Sequence, residues 1–156
     1  MTAPGPGFEA ATGDGPRPPD GTGRAAEVRT AEVRTAYEGL LQIRRLVNGP
    51  AGTAVPAPWE VRLPVRAVAL VLEAAGIAPS AVDGEGRRVR TGYRVAAGAE
   101  PGRTEVTWPG PPGGGAAGEE RERLTACSEV LARLGWECLL YRGPRGRRFL
   151  ETEPPR

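Results

Sequence analysis

The 156-residue sequence contains no histidine, and all 21 of its basic residues are arginine because lysine is absent as well. Without histidine the chain lacks the commonest general base, the usual serine triad and most catalytic zinc sites. Without lysine it has no GxxxxGK[ST] phosphate-binding loop, and its Gly113–Gly115 run follows prolines rather than a strand. No GxSxG motif occurs either. These absences exclude the most common catalytic designs.

Cysteine is also scarce. Cys127 and Cys138 are the only two, which is too few for a zinc site in a chain without histidine. Both fall on positions predicted to face the core, where a thiol is inert. Two buried thiols are typical of a reduced cytosolic protein rather than a secreted disulfide scaffold. We therefore predict no metal, no cofactor and a structural role for both residues.

Long apolar runs are missing. The longest is Ala67–Leu72, extended past Glu73 to Ala75, far short of the roughly 20 residues that span a bilayer. The N-terminus has neither the basic nor the apolar region of a signal peptide. The excess of arginine, alanine, glycine and proline is typical of a GC-rich genome. We expect a soluble protein of the bacterial cytoplasm that does not associate with membranes.

Glycine and proline, by contrast, are abundant, with 23 and 17 residues, and they divide the chain. Residues 1–23 contain one bulky apolar side chain, Phe8, and are predicted to be a disordered tail. Residues 49–58 are predicted to be a Pro/Gly linker and residues 109–118 a flexible loop. The predicted organisation is a tail (1–23), an amphipathic helix (24–48), the linker (49–58) and a small α+β domain (59–153).

The helix prediction for residues 24–48 depends on apolar residues spaced by three and four positions. They are Val33, Ala36, Leu40, Ile43 and Val47. Arginines, Arg44 among them, are placed on the polar side, and Asn48-Gly49-Pro50 is a stop signal. The tandem AEVRT repeat at 26–30 and 31–35 is interpreted as a local duplication. Leu41 and Leu46 widen the apolar stripe, which favours packing onto the domain over self-pairing.

Within the domain, residues 59–63 are predicted to be a short strand and residues 64–76 a helix that starts at a proline. Alternating apolar and polar residues over 88–97 and 103–108 predict a β-hairpin, with Val89, Tyr93 and Val106 facing the core. Residues 119–134 have the pattern of an amphipathic helix. Residues 136–142 and 147–152 predict a second hairpin. The predicted fold is α+β: a four-stranded antiparallel sheet (ββ-α-ββ) with one helix on a face, preceded by two N-terminal helices.

Arginines cluster on both predicted hairpins and form the candidate anion-binding or partner-binding surface. They are Arg88, Arg90, Arg94, Arg103, Arg142, Arg145, Arg147 and Arg148. Guanidinium groups suit phosphate contacts, and Tyr141 or Phe149 would be able to stack on bases. Glutamates on matching positions favour cross-strand ion pairs on a solvated face instead, and an acidic protein partner is a third reading. Neither a helix-turn-helix nor the RNA-recognition motif is present.

Paired carboxylates are the one catalytic route left, but nearly all acidic residues lie on polar helix faces or in turns beside arginines. We therefore predict that the protein is not an enzyme. The leading hypothesis is a non-catalytic protein-interaction or adaptor module with an unidentified protein partner. The alternative is a nucleic-acid-binding accessory protein that uses the arginine-bearing sheet face and hairpin turn.

Overall fold

The computed structural model describes residues 8–16, 18 and 22–156, and it has a mixed α+β architecture. The helices of these residues are α1 (Arg24–Val47), α2 (Pro58–Arg62), α3 (Pro64–Ala74) and α4 (Ala116–Arg133), with a short 3-10 segment at Gly49–Ala54. None of the helices in this part of the chain is both long and apolar enough to span a bilayer.

In the described residues, six strands form two antiparallel sheets. They are β1 (Ala81–Val82), β2 (Arg88–Arg90), β3 (Arg94–Ala97), β4 (Thr104–Thr107), β5 (Glu137–Arg142) and β6 (Arg148–Glu153). The larger sheet has the order β3-β4-β6-β5, and β1 and β2 form a separate two-stranded sheet. The first and last strands of the larger sheet are therefore β3 and β5.

Two helices, rather than the one predicted, cover the inner face of the larger sheet. Helix α3 contacts β3, α4 contacts β4, β5 and β6, and α1 packs on α3. Their shared core includes Trp59, Trp136 and Tyr93 among its largest fully buried side chains. The opposite face of the sheet has no helix over it in the described part of the chain.

Helix α1 occupies the range predicted for it but buries one residue that the periodicity placed on the polar side. Val33, Ala36 and Leu40 are buried as expected, whereas Arg44 is also fully buried. Its guanidinium donates to the carbonyl oxygens of Thr53 at 2.9 Å and Leu134 at 2.7 Å. The predicted linker at 49–58 is thus a folded connection, because its Thr53 oxygen accepts from the buried Arg44 and its Gly52 and Val55 oxygens accept from the Asn48 side chain.

The prediction of a strand at residues 59–63 is wrong, since residues 59–62 belong to α2 and Leu63 is its C-cap. Pro58 occupies the first turn, where its missing N–H is harmless. The Glu60 carboxylate accepts a hydrogen bond from the Ala57 N–H at 2.8 Å, which satisfies a donor at the start of the helix. Local capping outweighs the strand preference of Trp59 and Val61.

The strand predicted for residues 88–97 is interrupted. Its first part pairs with β1 and its second part with β4. The change of partner occurs at Gly92, where a Cβ would lie 2.4 Å from the Ala78 carbonyl oxygen, so only glycine fits. Tyr93 is buried as predicted, but Val89 is 43% exposed because it belongs to the small sheet and not to the core.

Residues 1–23 are predicted to be a disordered tail, but residues 8–16 of that range are ordered against the fold. Most of the remaining range, residues 1–7, 17 and 19–21, lies outside the described residues. The Val95 N–H donates to the Thr12 carbonyl at 2.7 Å, so this segment runs along the outer side of β3. Gly13 has a φ of +98°, and a Cβ there would lie 2.3 Å from the Tyr93 carbonyl oxygen. Backbone hydrogen bonds hold the segment, which an argument from apolar composition does not detect.

Candidate interaction surface on the larger sheet

The eight arginines of the candidate surface do not form one patch. Arg88 and Arg90 lie in β2 of the small sheet, and Arg94 opens β3. Arg103 precedes β4 at the opposite end of the larger sheet, beside Glu153. The remaining four, Arg142, Arg145, Arg147 and Arg148, surround the turn between β5 and β6. The registers place Arg94 and the β5–β6 turn at one end of the larger sheet, whereas Arg103 is at the other end.

Asp14 forms ion pairs with two of these arginines, Arg88 and Arg94. Its carboxylate accepts hydrogen bonds from Arg94 Nε at 2.8 Å and from Arg88 Nη2 at 3.0 Å. Partial burial opposes ionisation of Asp14, but the hydrogen bonds from Arg94 and Arg88 outweigh it and hold the pKa of that carboxyl below its ordinary value. Arg88 also donates to the Gly13 carbonyl and to Ser80 Oγ. Arg88 and Arg94 thus hold residues 13 and 14 beside strands β2 and β3.

Arg103 is held in the same way at the far end of the sheet. Its Nε donates to Glu153 Oε2 at 2.9 Å, and its Nη1 lies 3.6 Å from Glu151 Oε1 and 3.2 Å from Glu100 Oε2. Three carboxylates therefore surround one guanidinium. This corner of the sheet is better suited to solvent than to phosphate, because the acids would repel an anion.

Glu120 of α4 is buried and organises the β5–β6 turn. Its Oε2 accepts from Arg147 Nε at 2.6 Å, and its Oε1 accepts from the Arg148 backbone N–H at 2.8 Å. Arg147 also donates to the Trp108 carbonyl at 3.0 Å. Two of the four arginines near this turn thus have structural roles.

Three charged side chains at the ends of β5 form no ion pair with any described residue. Glu137 lies at the start of the strand, Arg142 at its end, and Arg145 in the turn that follows. All three are exposed. Strand β5 therefore has a free negative charge at one end and two free positive charges at the other.

The two edges of the larger sheet differ. The outer side of β3 is covered, since Val95 bonds to Thr12 and the Tyr93 N–H donates to the Ala78 carbonyl at 3.0 Å. Strand β5 pairs only with β6, and no other described strand lies beside it. An uncovered edge presents a row of free backbone N–H and C=O groups, which is a template for pairing with another strand.

Apolar side chains line both faces of this open edge. Leu139, Leu140 and Tyr141 are 60%, 41% and 42% exposed. Leu139 and Tyr141 are on the face away from α4, where the Tyr141 ring stacks on Phe149 with centroids 5.4 Å apart. Tyr141 and Phe149, which we considered as base-stacking residues, thus contact each other. Edges are usually protected by charges within the strand, by proline or by a bulge. Strand β5 has no proline and no bulge, and its two charges, Glu137 and Arg142, are confined to its first and last residues.

Sequence reasoning singled out the charges near β5 and missed its exposed apolar residues. The segment Cys138–Tyr141 has four apolar residues in succession, a pattern expected of a strand buried on both faces. The structure instead leaves it at an edge. The run of apolar residues was the available signal, but only the strand order shows that the run is exposed.

The two cysteines are free thiols. Cys127 is fully buried on α4, and burial raises the pKa of its thiol to about 12. Cys138 is half-buried, and burial raises the pKa of its thiol as well. In the described residues no group of three His, Cys, Asp or Glu side chains is placed to hold a metal ion.

A cavity of about 720 Å³ lies away from β5. It is bounded by residues 9–12, the start of α3 and the β3–β4 turn. Its lining contains no cysteine, and its two carboxylates, Glu9 and Glu100, are both on exposed residues. Nothing in this lining resembles an activated acid or nucleophile.

The comparisons with known proteins give no family assignment. No protein-family model matches the chain, and no curated protein or solved structure shows significant similarity to it.

Proposed function

We propose that this protein is a non-catalytic protein-interaction module, and that it binds an extended segment of its partner along β5. The observation that carries the proposal is the uncovered edge with Leu139, Leu140 and Tyr141 exposed. In β-strand addition, main-chain hydrogen bonds supply affinity, and contacts with alternate side chains supply specificity. Strand β5 offers both.

The contrast between the two edges supports this choice of site. Residues 11–15 and 78–80 cover the β3 side of the sheet with backbone hydrogen bonds. Natural proteins protect sheet edges because open ones aggregate. An edge left open and apolar beside one that is covered is therefore best explained by a partner.

The reduced compartment is part of the proposal. Both cysteines are free, and Cys138 lies beside the exposed edge. Free thiols persist where glutathione and thioredoxin keep them reduced, so we place the protein in the bacterial cytoplasm.

Nucleic-acid binding is the alternative, and Arg142 and Arg145, which have no ion pair among the described residues, are the observation that favours it. Two free guanidiniums are few for a surface that must neutralise several phosphates. Most of the other candidate arginines bond to Asp14, Glu120 or Glu153. We therefore rank a protein partner first.

The test is selection of random displayed peptides on the immobilised full chain. We expect binders with alternating apolar residues that bind the wild type and lose binding to Leu140→Lys, because a charge in the middle of an edge strand blocks pairing. Leu46→Lys on α1, where Leu46 is 70% exposed, is the matched control and should bind normally. Binders that are indifferent to Leu140→Lys would contradict the proposal.

The alternative is tested by measuring binding to generic DNA and RNA as salt is varied. Phosphate contacts predict affinity that falls steeply with salt. We expect negligible binding even at low salt. Tight, salt-dependent binding that is lost in Arg142→Glu/Arg145→Glu would favour the nucleic-acid function.

A further inference from the structure

We infer that β5 also pairs with β5 of a second copy of this chain, in antiparallel orientation about Leu140. This inference rests on the proposed function, because it names an occupant for the same edge. It is argued from the charges at the ends of β5, from the backbone groups that point outward and from the side chains that each register would bring together.

The charges of β5 are complementary to those of an antiparallel copy. Glu137 stands at one end of the strand, and Arg142 and Arg145 stand at the other, all without an ion pair among the described residues. Antiparallel pairing about Leu140 places Glu137 of each copy opposite Gly143 of the other, at the end that carries Arg142 and Arg145. Glu137 and Arg142 project from opposite faces of the strand, so the attraction is between the oppositely charged strand ends and not between one cross-strand pair. Parallel pairing would place like charges together, which is destabilising.

The hydrogen-bond pattern shows which backbone groups of β5 are free. The Gly143 N–H donates to the Arg147 carbonyl, and residues 137–142 pair in order with 153–148. Because bonded and non-bonded pairs alternate in an antiparallel ladder, Leu139 and Tyr141 bond to β6. The N–H and C=O groups of Cys138, Leu140 and Arg142 therefore point outward.

Symmetry and side chains select the register. Two copies related by a two-fold axis must show the same sheet face on the same side, so each residue meets one an even number of positions away. An axis through Leu140 pairs Leu139 with Tyr141 of the second copy twice, and aliphatic–aromatic cross-strand pairs are favourable. An axis through Leu139 would instead place Glu137 against Tyr141. The Leu140 register is the better match.

A pairing of two six-residue strands is small. Such a pairing buries less surface than the roughly 1,200 Å² of a stable interface, and complexes with interfaces this small are transient. We therefore expect a weak dimer that forms as the concentration of the protein rises. Such an edge remains accessible to other strands.

The decisive experiment uses two charge reversals in the full chain, studied by analytical ultracentrifugation over a range of concentrations. Glu137→Arg puts arginine beside arginine in its own dimer, and Arg142→Glu/Arg145→Glu puts acid beside acid. Each variant alone should dimerise about tenfold more weakly than wild type or worse, the equivalent of about 1.4 kcal/mol. An equimolar mixture should recover association, because both contacts become complementary in the mixed dimer.

A cysteine pair tests the register. In a Cys138→Ser background, Leu140→Cys should form a disulfide between copies under mild oxidation, since opposite residues in a bonded pair have Cα atoms about 5.5 Å apart. Leu46→Cys on α1 is the matched control and should remain uncrosslinked. Circular dichroism melts confirm that each variant is folded. Equal cross-linking of Leu46→Cys and Leu140→Cys would overturn the register.

A wild-type chain that stays monomeric throughout, or a mixture that associates no better than its components, overturns the inference. If displayed peptides still bind in a Leu140-dependent way in that case, the proposed function stands and only the second copy is excluded. If they do not, both are wrong. Concentration-dependent association that the mixture restores supports the inference.

Discussion

The buried ion pair between Arg44 and Glu60 should be the most sensitive point of the fold. Both side chains are fully buried, and Arg44 bonds to the two carboxylate oxygens of Glu60 at 2.8 and 2.6 Å. The same guanidinium reaches the carbonyls of Thr53 and Leu134, at 2.9 and 2.7 Å. One side chain therefore connects α1, the 3-10 segment, α2 and the end of α4.

Removing either partner leaves a buried charge without its counterion, which costs about 3–5 kcal/mol. Total unfolding free energies are about 5–15 kcal/mol, so Arg44→Met and Glu60→Met should each be severely destabilised. The double variant Arg44→Met/Glu60→Met buries neither charge. Its cost should fall short of the sum of the two single costs by about 2–3 kcal/mol.

The assay is equilibrium urea unfolding of wild type, both single variants and the double variant, followed by circular dichroism. The control is Arg45→Met, because Arg45 is exposed and its guanidinium makes only a long, 3.4 Å hydrogen bond to Gln42 Oε1 among the described residues. Its effect on the free energy of unfolding should stay within about 0.5 kcal/mol. Additive single costs, or a loss in Arg44→Met no larger than that of the control, would refute the reasoning.

Three further experiments test other parts of the structure: a pair of glycine substitutions, a substitution of Asp14, and alkylation of Cys127. Gly13→Ala should lower the free energy of unfolding by about 1–3 kcal/mol, because φ of Gly13 is positive and the backbone of β3 leaves no room for a Cβ. Gly39→Ala in α1 should raise the free energy of unfolding by up to about 1 kcal/mol, because alanine is the better helix former. Urea unfolding checks both. Partial burial raises the pKa of Asp14, but hydrogen bonds and charges from Arg94 and Arg88 outweigh it and hold that pKa below its ordinary value of 3.8. Ionised Asp14 therefore stabilises the fold above that pH, and this contribution is lost as acid protonates the carboxyl. Asp14→Asn should thus cost about 0.2–1 kcal/mol at neutral pH and progressively less in acid, and a cost that is constant with pH would be inconsistent with the ion pairs. Alkylation followed by mass spectrometry should leave Cys127 unmodified in the native protein, since burial raises the pKa of its thiol to about 12, and rapid native labelling would show that α4 is not packed as described.

Periodicity predicted the long elements well. Helix α1 is found at Arg24–Val47 against a prediction of 24–48, and the last two strands are at Glu137–Arg142 and Arg148–Glu153 against 136–142 and 147–152. These segments have one apolar side, and the core determines which side that is.

The errors have a common cause, which is bonding to groups distant in sequence. Arg44 and Glu120 look like solvent-facing residues in their helices, and each is buried by a partner 16 or 27 residues away. The interruption at Gly92 depends on the backbone of Ala78, and the position of residues 8–16 depends on the outer side of β3. A local pattern does not contain these partners.

The candidate site was predictable only in part. The sequence predicts the turn of the second hairpin, and this places the charges of Arg142 and Arg145 at the end of its first strand. The open edge is not, because alternation gives the faces of a strand and says nothing about its neighbours. The order β3-β4-β6-β5 supplied that information.

Residue-resolved amide hydrogen exchange across β5, measured at low and high protein concentration, tests the central claim most directly. We predict that the amides of Leu139 and Tyr141 are protected at both concentrations, whereas those of Cys138, Leu140 and Arg142 exchange rapidly in dilute solution and slow down as copies associate. Uniform protection along the strand in dilute protein would contradict the account, because it would mean that the edge is already covered.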